Sequence, residues 1–222
     1  FVNLGAGSYF YHPRWHCFDL YNNGMNKVHE NYIKWDFTKK KDLPFTYKLA
    51  YCSHVIEHIP ENDIKDFLQI AYRSLDKKGI LRIVTPDADS AYEAYSENRL
   101  DYFEIYMSKL NKNVPIGYEI EYLLLDYFAT FKRRNNRFNA IVGNKIRENF
   151  KSLNKREFLN SLISGIDKNS VTGMDHVNWF NYEKIYNLLK EIGFRKIYKS
   201  EFGKSKTPVM RSFPLFDGWL PS

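Results

Sequence analysis

The sequence predicts an α/β fold: a mostly parallel open sheet with an antiparallel last strand, helices on both faces, and a helical insertion. Three observations carry that expectation. The first third alternates short apolar runs of strand length with turns and one clear helix. Successive strand ends carry glycine or polar residues, at Gly5–Ser8, Asp19, Asp36, Ser53-His54 and Pro86-Asp87, and in such sheets ligands bind beyond the carboxyl ends of the strands. The alternation stops at Asp87 and resumes after about Gly173. The expected division is therefore a core at 1–87 and 173–222, with a helical insertion at 88–172 that shapes a substrate pocket.

Taken in order, Phe1-Val2-Asn3-Leu4 is an apolar strand that breaks into Gly5-Ala6-Gly7. Trp15–Phe18 is a second strand, closed by Asp19. A polar loop, Tyr21–Gly24, precedes a short strand at Tyr32–Trp35 that ends on Asp36. Tyr47–Ser53 is a fourth strand. A helix follows over Asn62–Leu75, with Ile64, Phe67, Leu68, Ala71, Tyr72 and Leu75 at helical spacing. Lys77-Lys78-Gly79 reads as its stop, and Ile80–Thr85 as the next strand. Within the insertion, Ser90–Met107, Glu119–Arg134 and Lys155–Ile166 read as helices. After it, Asn181–Ile192 is an amphipathic helix stopped by Gly193, and Phe194–Ser200 and Met210–Phe216 read as two last strands.

Composition narrows the setting. At 222 residues the chain suits one ordinary domain with an inserted subdomain. Its two cysteines, Cys17 and Cys52, both fall in predicted strands and are expected as buried free thiols in a reducing, cytoplasmic compartment. No apolar run approaches the roughly 20 residues that span a bilayer. The chain starts inside a strand and ends on FDGWLPS, so residues are expected to be missing at both ends. A formal charge of +7 points to an anionic partner.

Gly5-Ala6-Gly7 with Asp19 suits a nucleotide-type cofactor: glycine lets the backbone approach a ligand, and the acid accepts from a ribose diol. A dinucleotide fingerprint would need a third glycine at position 10, where this chain has Phe10. Together with Asp36 before Leu43-Pro44-Phe45, the block YCSHVIEHIP at 51–60 and GILRIVTPD at 79–87, these residues resemble class I S-adenosylmethionine (SAM)-dependent methyltransferases. They are most similar to enzymes of bacterial surface-polysaccharide biosynthesis, and HVNWFNYEKIYNLLKEIGF at 176–194 resembles that group too. The insertion lies outside the resemblance. Asn3 stands where the first motif often has an acid, and the link from Gly7 to the second strand is short.

The resemblance implies a Rossmann-like methyltransferase sheet and a cofactor site. Gly5, Ala6 and Gly7 would approach the methionine part, Asp19 the ribose, and Asp36 with Phe37 the adenine. Ser53 and His54 would face the methionine and the reacting methyl. Methyl transfer needs nucleophile, methyl carbon and sulfur in line, and an oxygen or nitrogen nucleophile can need a base. His54 and His176 are the candidate catalytic residues. Tyr11, His12, His58, Asp87 and Tyr92 are candidate acceptor contacts. The expected acceptor is a small anionic molecule, such as a nucleotide-linked sugar or a phosphate-containing glycan precursor.

Two rivals stand beside this reading. The basic cluster Lys132-Arg133-Arg134, with Arg137, Lys145, Arg147 and Lys151, motivates a nucleic-acid methyltransferase, but no Asn-Pro-Pro-Tyr-like tetrapeptide or RNA-binding motif accompanies it. A non-catalytic SAM-binding protein is the other. His54-Val55-Ile56-Glu57-His58 also matches the H-x-x-E-H zinc-protease spacing. That motif needs both histidines on one helix face, and Pro60 follows closely, so no metal is expected.

Overall fold

The computed structural model describes residues 1–7, 10, 12–20, 29–39, 41–103, 114–134, 137–167, 170–201 and 203–211. In chain order its elements are β1 (Val2–Leu4), β2 (His16–Asp19), β3 (Tyr32–Lys34), β4 (Tyr47–Ser53), α1 (Glu61–Arg73), β5 (Leu75–Val84), α2 (Ala88–Ser96), α3 (Glu119–Phe128), α4 (Thr130–Arg133), α5 (Ala140–Ser152), α6 (Lys155–Ile163) and α7 (Tyr182–Ile192). Tight 3-10 turns lie at Phe37–Lys39, Ile56–His58 and Pro208–Arg211. The chain forms two compact units: a sheet unit of Phe1–Ile56, Glu61–Thr85 and the chain from Tyr182, and a helical unit of Glu57–Pro60 and Pro86–Asn181.

In the sheet unit the five strands run in the order β3-β2-β1-β4-β5, all parallel. β1 pairs on one side with β2, Asn3 opposite Cys17, and on the other with β4, Asn3 opposite Tyr51. The strand order therefore reverses at β1, and its neighbour across the reversal is β4. In β4, Tyr47 and Leu49–Cys52 are buried, the near-continuous burial expected of a strand interior to a parallel sheet. Cys17 and Cys52 are buried free thiols, as the sequence indicates.

α1 buries Ile64, Phe67, Leu68, Ile70 and Ala71. It ends earlier than its apolar spacing predicts. The Ser74 hydroxyl turns back onto the Ile70 carbonyl (2.7 Å), and the Ser74 carbonyl accepts from Tyr47 N–H (2.8 Å), so Leu75 already belongs to β5. Lys77-Lys78-Gly79 thus lies in the strand and is no helix stop; the extra residues are taken up where the register shifts between Tyr47, opposite Leu75, and Leu49, opposite Ile80.

The antiparallel last strand is not formed among the described residues. Residues 194–200 make no ladder. Their apolar positions, Phe194, Ile197 and Tyr198, do not alternate with period two, so they offer no strand face. The Arg82 guanidinium of β5 instead reaches Ser200 Oγ (3.4 Å) and the Glu201 carbonyl (3.5 Å). The second expected strand begins as the 3-10 turn Pro208–Arg211, and 212–216 lies outside the described residues. α7 has Leu189 buried, with Lys184 paired to Glu61 of α1 (2.7 Å) and Phe194 against Tyr72 (4.9 Å).

The helical unit is built on α3, buried from Ile120 to Phe128, with Phe103, Phe158, Leu159 and Leu162 among its packing partners. α2 stops at Ser96, short of the expected Met107; residues 104–113 lie outside the described set. The predicted helix Glu119–Arg134 breaks at Ala129, whose φ of −147° is not helical, giving α3 and α4. α5 has no counterpart in the sequence reading. Its signal was present in Val142, Ile146 and Phe150 at helical spacing behind an Asn139 cap, whose side chain accepts from Val142 N–H (3.1 Å). α6 opens on a capping box of Asn154 and Glu157.

Candidate functional site

At the reversal point, β1 leaves into Gly5-Ala6-Gly7 and β4 into Ser53-His54. The two exits touch. A Cβ added at Gly5 would lie 2.2 Å from Val55 Cγ2, and Gly5 has φ +78°, so glycine here is demanded by the packing of the β4 exit. Gly7, φ +61°, is different: among the described residues a Cβ there would meet nothing within 4 Å, so they leave the backbone at Gly7 open on that side. His54 also holds a positive φ of 52°, and its N–H donates to the Val84 carbonyl (2.9 Å), tying the ends of β4 and β5 together. A non-glycine residue held in that region is strained, and such strain concentrates at functional sites.

Asp19 ends β2 beside this turn. Its Oδ2 accepts from Gly7 N–H (2.8 Å), while Gly5 and Ala6 N–H both donate to the Phe18 carbonyl (2.7 and 3.2 Å). The Tyr32 hydroxyl donates to the Gly7 carbonyl. Burial, with the Asp19 carboxylate second, pushes the Cys17 thiol up to about 12 and raises the Tyr32 hydroxyl above its ordinary value. The turn and the acid are therefore one fixed unit.

At the ends of β2 and β3 lies a cavity of about 480 Å³ lined by Leu20, Lys34, Trp35, Asp36, Lys39 and Lys41. The Trp35 indole N–H is buried without a partner among the described residues. Asp36 caps the following turn, accepting from Thr38 N–H (3.0 Å) and Thr38 Oγ1 (2.6 Å). Phe37 packs edge-on against Phe67 of α1 at 5.1 Å. Trp35, Leu20 and the three lysines were not anticipated; an aromatic closing a strand just before an acid was the available signal. Asn3 Oδ1, on β1, is a further buried acceptor without a partner among the described residues.

The helical unit holds the remaining predicted residues. Asp87 caps α2 through Asp89 N–H (3.0 Å) and pairs with Phe180 in a parallel bridge. Tyr92, partly buried, packs against Phe150 and Phe158 (5.3 and 5.8 Å) at the edge of the helical core. His58 and His176 come together, ring centroids 4.7 Å apart, beside buried Glu57. Of the other predicted residues, His12 belongs to the sheet unit, where its Nδ1 accepts from Arg14 N–H (3.1 Å); Tyr11 lies outside the described residues.

Much of the basic cluster is engaged within its own unit. Arg133 pairs with fully buried Asp126, Arg134 with Asp175 (2.9 Å), Arg147 with Glu121 (2.8 Å) and Lys145 with Glu148 (3.7 Å). Charges neutralised at home leave a weaker electrostatic footprint than their number suggests. No helix of the described residues is long and apolar enough to cross a membrane.

A family model described as a methyltransferase domain matches residues 8–199. No curated protein matches the chain.

Proposed function

The chain belongs to the methyltransferase domain family, and from that premise we propose that it is a SAM-dependent enzyme methylating an oxygen or nitrogen atom of a small anionic acceptor. The observation that carries the reading is the Gly7–Asp19 unit at the point where the parallel strand order reverses, where open α/β sheets bind their ligands. The residues present fit SAM. A carboxylate at the end of β2 suits a ribose diol. A backbone at Gly7 that is open, and a buried Asn3 carbonyl that is unpartnered, among the described residues suit the polar methionine end. A cavity of about 480 Å³ with a buried indole N–H suits the adenine end.

When bound, SAM supplies an electrophilic sulfonium methyl. The protein's own task is to hold that ligand and the acceptor in line and to take up a proton where the nucleophile carries one. Ser53 and His54 are assigned to the methionine side, with His54 and His176 as the candidate bases. Acceptor choice is assigned to the helical insertion. A nucleotide-linked sugar or phosphate-containing precursor of a surface glycan follows from the sequence resemblance and the net charge of +7.

Calorimetric titration with S-adenosylhomocysteine tests the reading. Stoichiometric binding is expected, and a wild-type protein that takes up none removes the cofactor assignment.

A further inference from the structure

We infer that Glu57, His58 and His176 form a binding site for one divalent first-row transition-metal ion. Among the described residues, each offers a ligand atom, and these atoms lie within 4.8 Å of one another. Around a common ion with bonds of about 2.1 Å, tetrahedral donors stand roughly 3.4 Å apart, so closure needs only side-chain adjustments.

The arrangement around the histidines favours an ion over simple packing. His58 Nδ1 lies 3.1 Å from the Asp175 carbonyl, and His176 Nδ1 lies 2.8 Å from the Tyr127 carbonyl. A carbonyl can only accept, so each Nδ1 is the donor, and Nε2 is the nitrogen whose lone pair a metal ion can take. Metal-ligating histidines are oriented in this way, one ring nitrogen on a backbone carbonyl and the other on the ion. The carbonyls are themselves fixed. Asp175 is buried, and its Oδ2 takes Arg134 (2.9 Å), Thr172 N–H (2.7 Å) and Thr172 Oγ1 (3.1 Å). His176 N–H donates to Thr130 Oγ1 (3.2 Å). The two chain segments are laced together by Val177 N–H on the Glu57 carbonyl (2.8 Å) and Asn178 Nδ2 on the Ile59 carbonyl (3.1 Å).

Glu57 supplies the negative charge, buried to 2% exposure. Two imidazoles and one carboxylate suit zinc, cobalt or iron(II) better than magnesium or calcium, which favour oxygen ligands. Three protein ligands leave a position for water or an acceptor hydroxyl. The H-x-x-E-H spacing read from sequence names the wrong pair: His54 belongs to the sheet unit, and the second imidazole is His176. The inference does not rest on the methyl-transfer reading, since its test measures metal and not turnover.

The test uses the full chain, stripped with chelator and titrated with Co²⁺ and Zn²⁺, with visible absorption and elemental analysis as readouts. One equivalent is expected, with Co²⁺ ligand-field bands. His58→Asn and His176→Asn keep a donor for the backbone carbonyl while removing Nε2, and Glu57→Gln keeps the shape. Each should weaken binding about 100-fold or more, beyond the 10–100-fold typical of outer partners, with circular dichroism and melting close to wild type. His54→Ala should bind as wild type. No uptake by the wild type, retained affinity in His176→Asn, or loss confined to His54→Ala would each overturn the site.

Discussion

Asp19→Asn is the substitution that tests the cofactor site most directly. The wild-type carboxylate has a structural job, accepting Gly7 N–H at 2.8 Å. An asparagine can keep that bond through its carbonyl oxygen. It then presents an NH₂ where the carboxylate would meet the ribose hydroxyls, turning an acceptor into a donor and removing the charge. Hydrogen bonds to a charged group contribute about 1.5–3 kcal/mol each. Losing their charge-assisted part should cost about 2–3 kcal/mol of binding, which is roughly 30- to 150-fold in the affinity for S-adenosylhomocysteine. Because the Gly7 bond survives, the melting temperature should stay within a few degrees. Asp19→Ala removes both functions, so it should lose affinity and also stability, by about 1–2 kcal/mol. Calorimetry and thermal unfolding on the three proteins separate the two. Unchanged affinity in Asp19→Asn would refute the assignment of Asp19 to the ribose, whatever happened to stability.

Other expectations follow from single contacts. Gly5→Ala brings a Cβ to 2.2 Å from Val55 at φ +78°, and should destabilise by about 2–5 kcal/mol; adding Val55→Ala should recover the steric part but not the backbone part, as read by denaturant unfolding. Gly7→Ala meets no atom of the described residues, so it should cost only about 1–2 kcal/mol. Burial holds the Lys132 ammonium down from 10.5 to about 8. Below pH 8 both folded and unfolded chains keep that proton and the burial penalty is complete; between pH 8 and 10.5 the unfolded chain binds more protons, so stability rises with pH. Discounted for partial exposure, Lys132→Met should stabilise by about 1–2 kcal/mol at pH 7, a gain that shrinks toward pH 10; a gain independent of pH would contradict this. Asp126 is fully buried against Arg133, so Asp126→Ala should cost about 3–5 kcal/mol, whereas joint replacement by Leu and Met should be close to neutral in the same unfolding assay.

Short-range physics made the sheet legible. Apolar runs separated by glycines and acids mark strands that must be buried on both faces, and the alternation with helices marks them as parallel. What failed were features set by partners distant in sequence. The end of α1 is decided by Ser74 and Tyr47, 27 residues apart, because Tyr47 recruits the Ser74 carbonyl into the sheet. Residues 194–200 have strand-like composition but no alternating face, so no ladder forms. The Gly-x-Gly motif shows the same limit within the site. Gly5 also makes room for Val55, a neighbour 50 residues along the chain that the motif does not show, while among the described residues a Cβ at Gly7 meets nothing.

The histidines carry the argument furthest. Local spacing joined His54 to His58, since only a partner a few residues away is visible in a motif. In the folded chain His58 meets His176 instead, and the Nδ1 of each ring is claimed by a carbonyl that its own sequence neighbourhood does not supply. A histidine whose Nδ1 is so committed can act only through Nε2, as base or as ligand. If His176 binds an ion, its Nε2 is no longer available as the base proposed above. Turnover of the chelator-stripped protein with and without added Zn²⁺ separates the two roles: activity that needs the metal and is lost in His176→Asn and Glu57→Gln alike makes His176 a ligand, whereas activity that Zn²⁺ suppresses in the wild type but not in Glu57→Gln makes its Nε2 a base.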